Sequence, residues 1–164
     1  MELPIPLRRL AYRCAYAVLW AYRAVAKPGL NGVKCVLIHS DRILLVLHTY
    51  GPREWDFPGG GLKRNESPLS AARRETREEL GVDIDHWLAI GDVLSRFQRT
   101  QSTMHCFRAE LDDPELTLDY GEILTARWFA LDELPPKLAK HVALILAHAG
   151  LRPPSRTSGS SPRR

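Results

Sequence analysis

Between Gly60 and Val82 the chain reads GGLKRNESPLSAARRETREELGV, and this stretch constrains the fold more than any other. Ser67 is a good helix cap, Pro68 suits the first helical position, and Gly81 suits the residue after the last turn. The spacing therefore predicts a helix over Pro68–Leu80. At 100° per residue, Leu69, Ala72, Thr76 and Leu80 form a stripe that can face a core. Glu75, Glu78 and Glu79 fall within about 100° of arc on another face, with Ala71 leaving room above them. Three like charges at such spacing repel, which disfavours an isolated helix by tenths of a kcal/mol per pair. A divalent cation removes that penalty, and hard oxygen donors point to Mg²⁺, or Mn²⁺ as a substitute, rather than zinc. The loop Pro58–Gly61 before the helix lets backbone approach a ligand closely.

An acidic helix face by itself is usually only solvated. Here the fixed spacing needs explaining too. At roughly 6% usage per residue type, seven fixed residues match by chance with odds on the order of 10⁻⁹ per starting position. The stretch resembles the Nudix box of the Nudix hydrolase family, G-x5-E-x7-R-E-U-x-E-E-x-G-U with U aliphatic. The fixed letters fall at Gly60, Glu66, Arg74, Glu75, Glu78, Glu79 and Gly81; Thr76 replaces the first U. The approach Trp55-Asp56-Phe57-Pro58-Gly59-Gly60 and the later Ala126-Arg127-Trp128-Phe129, followed by Asp132-Glu133-Leu134-Pro135, are also similar to the family.

The resemblance covers about residues 32–149. It implies an α/β fold, an α/β/α sandwich around a central mixed sheet, with a helix at residues 1–29 as an addition. It implies hydrolysis of a nucleoside diphosphate linked to another group: a nucleotide, a nucleotide sugar or a dinucleotide. By position, Glu78 and Glu79 would bind metal, with Glu75 as ligand or general base and the Gly59 carbonyl as a further ligand. Arg74 would orient the carboxylates, and Glu66 would tie loop to helix. Glu122 lies where many members carry an extra ligand or base, an assignment balanced against a solvated loop acid. Residues 97–99 show neither the proline that suggests ADP-ribose nor the tyrosine that suggests diadenosine polyphosphates, so no subfamily follows.

The chemistry is coherent on its own terms. Cations neutralise a pyrophosphate and activate water, and a carboxylate takes the proton. Near the glycine loop, Tyr50, Arg53 and Trp55 are candidates for substrate contact: an arginine for phosphate, aromatic rings for a base. For Trp55, loop packing is the stronger expectation. The six histidines show no ligand spacing and are read as packing or surface residues.

Elsewhere, Val33–His39 and Ile43–His48 form a hairpin pattern around Ser40-Asp41. Strands are expected at Trp87–Gln98, Thr103–Leu111 and Ile123–Ala130, and a helix at Leu138–Ala149. Residues 7–26 read as a helix with two stripes: Leu7, Leu10, Ala11, Cys14, Val18, Tyr22 and Val25 on one side, Tyr12, Tyr16 and Trp20 on another. Arg8, Arg9, Arg13 and Arg23 interrupt both, and Lys27-Pro28-Gly29 ends the helix. Ala24-Val25-Ala26 mimics a signal-peptide cleavage site, but Arg23 beside it and the aromatic crowding argue against that reading. The helix is expected to pack on the domain or on a second copy, giving a homodimer; peripheral contact with a membrane ranks next. The tail 151–164 is expected to be disordered.

Charge divides the chain. Residues 1–29 carry five basic groups and one acid, residues 151–164 four arginines and no acid, and residues 30–150 carry 14 basic against 18 acidic residues. The expected division is an N-terminal helix 1–29, a Nudix domain 30–150 and a basic tail. An acidic centre gives no strong nucleic-acid signal and suits a cation site. Three widely spaced cysteines suggest no disulfide framework and a cytoplasmic setting. Two other readings stay open: 5′-end processing of RNA, which the basic termini allow, and a catalytically silent Nudix-fold binding module, against which the intact acidic set counts.

Overall fold

The structure, a computed structural model, describes residues 4–26, 31–97 and 100–152. The expected helix end at Lys27–Gly29, residues Gln98 and Arg99, and nearly all of the 151–164 tail lie outside the described residues. In chain order the elements are α1 (Ile5–Ala26), β1 (Gly32–His39), β2 (Arg42–His48), α2 (Pro68–Leu80), β3 (Leu88–Phe97), β4 (Thr100–Glu110), β5 (Ile123–Ala130) and α3 (Val142–His148). The sheet is mixed, with order β3-β4-β1-β2-β5. β1 runs parallel to β4, Gly32 opposite Met104, and every other pairing is antiparallel.

Side chains of a strand alternate between the sheet faces, and the core follows that period. Val33, Cys35 and Leu37 of β1 and Leu44 and Val46 of β2 point to one face, where Ala71, Ala72 and Leu80 of α2 cover them. Val36, Ile38, Ile43 and Leu45 point to the other, under Val142, Ile145 and Leu146 of α3. The result is the expected α/β/α sandwich. α2 keeps its expected bounds: the Ser67 hydroxyl accepts from the Ser70 N–H, and Gly81 closes the helix in the left-handed region at φ 69°. A Cβ on Gly81 would stand 2.7 Å from Thr117 Cβ. Gly81→Ala is therefore expected to cost about 1–3 kcal/mol through backbone strain and crowding, read as a lower urea midpoint with unchanged m.

Two elements start elsewhere than expected: β4 at Thr100 rather than Thr103, where Thr100 pairs with Phe97 of β3, and α3. α3 starts at Val142 rather than Leu138, because the backbone before it is committed elsewhere: Trp55 N–H donates to Lys137 O and Ala139 N–H to Trp55 O. Of the two stripes of α1, the one with Tyr12 and Tyr16 docks. Leu7, Leu10 and Val18 stay exposed, while Arg8 pairs with Asp119, Arg9 Nε donates to Tyr120 O at 3.0 Å, and Tyr12 and Tyr16 pack on Tyr50. Partners decide this choice. The arginines find a carboxylate and a carbonyl on the loop before β5, which the aliphatic stripe could not satisfy. Among the described residues no helix is long and apolar enough to cross a membrane.

Candidate active site

The site lies where the glycine loop, the C-terminal half of α2, the end of β2 and the loop before β5 meet. The loop is threaded tightly. Cys35 N–H donates to Pro58 O and Val33 N–H to Gly60 O, both at 2.9 Å. Gly59 sits between them at φ 132°, and a Cβ there would fall 2.2 Å from Val33 O. No side chain fits, which is why glycine occupies the position. Gly59 N–H donates to Glu79 Oε2 at 2.9 Å. Its buried carbonyl, unlike its two neighbours, accepts no hydrogen bond from any described residue.

Glu79 is 1% exposed. Its other oxygen lies 3.3 Å from His48 Nε2. Glu122 completes a compact group: one donor atom each of His48, Glu79 and Glu122 fall within 4.8 Å of one another. Glu122 is held in place by the Tyr50 hydroxyl, which donates to it at 2.5 Å. Burial pushes the Glu122 carboxyl up, and the Glu79 charge adds to that. Burial also raises Glu75, to about 7; the Arg74 guanidinium opposes the shift, and the Glu79 and Glu122 charges reinforce it. Buried carboxylates crowded in this way want a cation. The donor set (two carboxylates, an imidazole and an unpartnered carbonyl) fits a divalent cation.

Arg74 governs the α2 flank. Its guanidinium donates to Glu66 at 2.7 and 2.8 Å, to Glu75 at 2.6 Å, to Glu78 at 3.1 Å and to Gly61 O at 3.0 Å. One fork thus joins loop to helix and fixes the rotamer of Glu75. Glu66 also accepts from Lys63 N–H, and these bonds hold its carboxyl at about 2. Arg74→Lys keeps the charge but loses the fork. It is expected to lower kcat roughly 10–100-fold, as loss of an orienting partner does, with the fold retained by circular dichroism.

The sequence-predicted residues are thus divided. Gly59, Glu75, Glu79 and Glu122 converge. Glu78 stays at the rim, its side chain half exposed and shared between Arg74 and Lys63 at 3.5 Å. Tyr50 reaches the site through Glu122. Arg53 is exposed and lines an adjoining cavity. Trp55 packs edge-on against Phe129, ring centroids 4.9 Å apart, beside the α3 core. Two histidines were missed. His48 enters the acidic group, and His141 Nε2 lies 2.6 Å from Asp56, which also pairs with Lys34 at 2.7 Å. No motif spacing flags either one, since the partners lie 31 and 85 residues away.

A NUDIX domain profile matches residues 30–149. The chain belongs to the NUDIX domain family. Among curated relatives, diphosphoinositol polyphosphate phosphohydrolase 2 of Rattus norvegicus is 32% identical over 104 residues, 62% of this chain and 57% of that protein. An NAD-capped RNA hydrolase NudC of Pseudomonas aeruginosa is 32% identical over 122 residues, 70% of this chain and 43% of the other. An RNA pyrophosphohydrolase of Thioalkalivibrio sulfidiphilus is 41% identical over 59 residues, 36% of this chain and 34% of that one. The aligned parts therefore span between a third and three fifths of these relatives. In fold, the MutT NUDIX hydrolase of Burkholderia pseudomallei gives a TM-score of 0.68 at 24% identity, over 74% of this chain and 98% of that one. The NUDIX domain of Shewanella oneidensis NrtR, solved with ADP ribose, gives 0.64 at 21% identity, over 75% and 87%. α1 lies outside the matched NUDIX segment.

Proposed function

We propose that this NUDIX protein is a divalent-cation-dependent pyrophosphohydrolase that cleaves a phosphoanhydride bond in a small nucleoside diphosphate-linked substrate. The observation that carries the reading is the convergence of Glu79, Glu122 and His48 beside the unpartnered Gly59 carbonyl. Those four would hold Mg²⁺ or Mn²⁺, with Glu75 beside them and Glu78 able to join from the rim. When bound, the cation supplies charge neutralisation at the phosphate oxygens and activation of water.

The chain's own residues supply the remainder. Gly59 N–H fixes one Glu79 oxygen, and the Tyr50 hydroxyl fixes Glu122. Arg74 sets the Glu75 carboxylate, which we assign as the general base because it is held in one orientation beside Glu79 and Glu122. Arg53 lines the adjoining cavity and offers positive charge to substrate phosphates, while Lys34 in the cleft wall is committed to Asp56. The working unit is the NUDIX domain 30–150, preceded by the segment 1–29 that carries α1. The free cysteines agree with a cytoplasmic setting.

A substrate panel with Mg²⁺ tests the reading: ADP-ribose, nucleotide sugars, dinucleoside polyphosphates, dNTPs with oxidised forms, and capped RNA. The expected product is a phosphomonoester from cleavage between two phosphorus atoms, and no turnover on any member would refute it. Names of two relatives favour RNA 5′ ends as a second substrate class; a steep salt dependence of RNA binding would support that class. The exposed Leu7, Leu10 and Val18 support contact with a second copy or a membrane surface. Sedimentation and liposome flotation, with and without residues 1–29, separate the two.

A further inference from the structure

α1 is built into the cleft although it lies outside the NUDIX segment. The Tyr16 ring lies 5.4 Å from that of Tyr50, and Tyr12 stacks on the same ring at 6.1 Å. A Cβ on Gly51 would meet Tyr16 Cζ at 3.2 Å, so the helix touches the loop after β2 with no gap. The Tyr12 hydroxyl also faces Glu122. Arg8 and Arg9 anchor the helix to Asp119 and Tyr120, on the loop that carries Glu122.

Two cavities open on either side of the Tyr16–Tyr50–Gly51 contact. The inner one, about 340 Å³, reaches Gly59 and His48 and has Glu54 and Asp56 in its wall. The outer one, about 290 Å³, is lined by Arg13, Tyr16, Thr49, Tyr50, Gly51 and Arg53. Its lining has two guanidinium groups and no carboxylate. Neither Arg13 nor Arg53 has an ion pair among the described residues. Unpaired guanidinium groups on a surface helix are ordinarily just solvated. Here one comes from α1 and one from the loop after β2, and they line one concavity that shares three residues with the acidic cleft. The Thr49 hydroxyl is already committed, donating to Gly121 O at 2.8 Å. The cationic donors of the outer cavity are the arginines, whose planar forks match phosphate oxygens.

We propose that α1 forms the outer wall of the substrate cleft, and that Arg13 and Arg53 together hold a substrate phosphate remote from the bond that is cleaved. This deepens the hydrolase reading and rests on it for the inner cleft. It narrows the substrate class to molecules with an anionic phosphate beyond the reacting pair, such as polyphosphorylated nucleotides. A neutral sugar or nicotinamide-like group at that end would leave both guanidinium groups unmatched.

The test uses the full chain and two readouts. In buffer with EDTA, binding of inorganic tripolyphosphate is measured by calorimetry for the wild type, Arg13→Ala, Arg53→Ala, the double variant and Arg42→Ala, which lies at the far end of β2. With Mg²⁺, kcat and KM are measured on the best substrate of the panel. The expected result is a tripolyphosphate Kd raised about tenfold by each cleft substitution and further by both, as for lost charge-assisted bonds, with Arg42→Ala unchanged. KM should rise about tenfold in the double variant while kcat stays within about threefold, as for uniform binding lost away from the reacting centre. A wild type that does not bind tripolyphosphate, a double variant that binds it as well as wild type, or a loss confined to kcat would each overturn the proposal. If no panel substrate is hydrolysed but the double variant loses tripolyphosphate, the hydrolase reading fails and the anion site stands.

Discussion

Glu79→Gln is expected to lower kcat by about 10³-fold or more, near 4 kcal/mol of transition-state stabilisation, without unfolding the protein. Glutamine matches glutamate in shape. Its amide oxygen can still accept from Gly59 N–H, and its NH₂ can face His48, the two contacts Glu79 now makes. What disappears is a negative charge at the centre of a buried acidic group. In the absence of metal that charge works against its neighbours: Glu79 raises both Glu75 and Glu122. The variant should therefore melt no lower than wild type in EDTA. Cation binding to the native state raises Tm, the more so the tighter it binds, so the wild type should gain stability when Mg²⁺ or Mn²⁺ is added and the variant should gain little. The two readouts guard each other. Near-normal turnover in Glu79→Gln would remove it from the metal set. A large Tm loss in EDTA would show that its charge serves the fold instead.

The parts of this architecture that were legible in the sequence are the ones written locally. α2 has its cap at Ser67, its first-turn proline and its closing glycine within one short window, and its bounds come out as expected. The period-two alternation of β1 and β2 sorts their side chains between the two cores. The site was legible only where the helix itself carries it. The arc computed for Glu75, Glu78 and Glu79 is correct as geometry, yet Glu78 sits at its edge, and Arg74 and Lys63 hold it in solvent. His48 could not be foreseen, because its nearness to Glu79 is set by how β2 lies against α2. The docking side of α1 was hidden for a related reason. Two stripes competed, and the winner was fixed by Asp119, Tyr120 and Tyr50, none of them near α1 in sequence.

Lys34→Met is expected to destabilise the protein by about 3–5 kcal/mol, the usual result of stripping one partner from a buried ion pair. Lys34 Nζ lies 2.7 Å from Asp56 Oδ2 and donates to Phe57 O at 3.1 Å, with both charged side chains less than one fifth exposed. Asp56 also accepts from Phe57 N–H and meets His141 Nε2 at 2.6 Å. Burial alone would raise the Asp56 carboxyl, but Lys34 and His141 hold it well below the ordinary range. Burial alone would lower the Lys34 ammonium, but Asp56 holds it above its ordinary value. The signs then set a window. A depressed carboxyl contributes stability that is present above its unfolded pKa, near 4, and lost as pH falls through its folded one; a raised ammonium contributes below about 10.4 and loses it as pH rises further. Between those limits both charges are formed, so the cost of Lys34→Met should be greatest there. Tm should fall by about 10 °C or more at pH 7. Adding Asp56→Asn to Lys34→Met should recover part of the loss, because the penalty comes chiefly from the carboxylate left without its ammonium. A Lys34→Met protein that melts with the wild type would show that His141 and the Phe57 N–H suffice to hold Asp56.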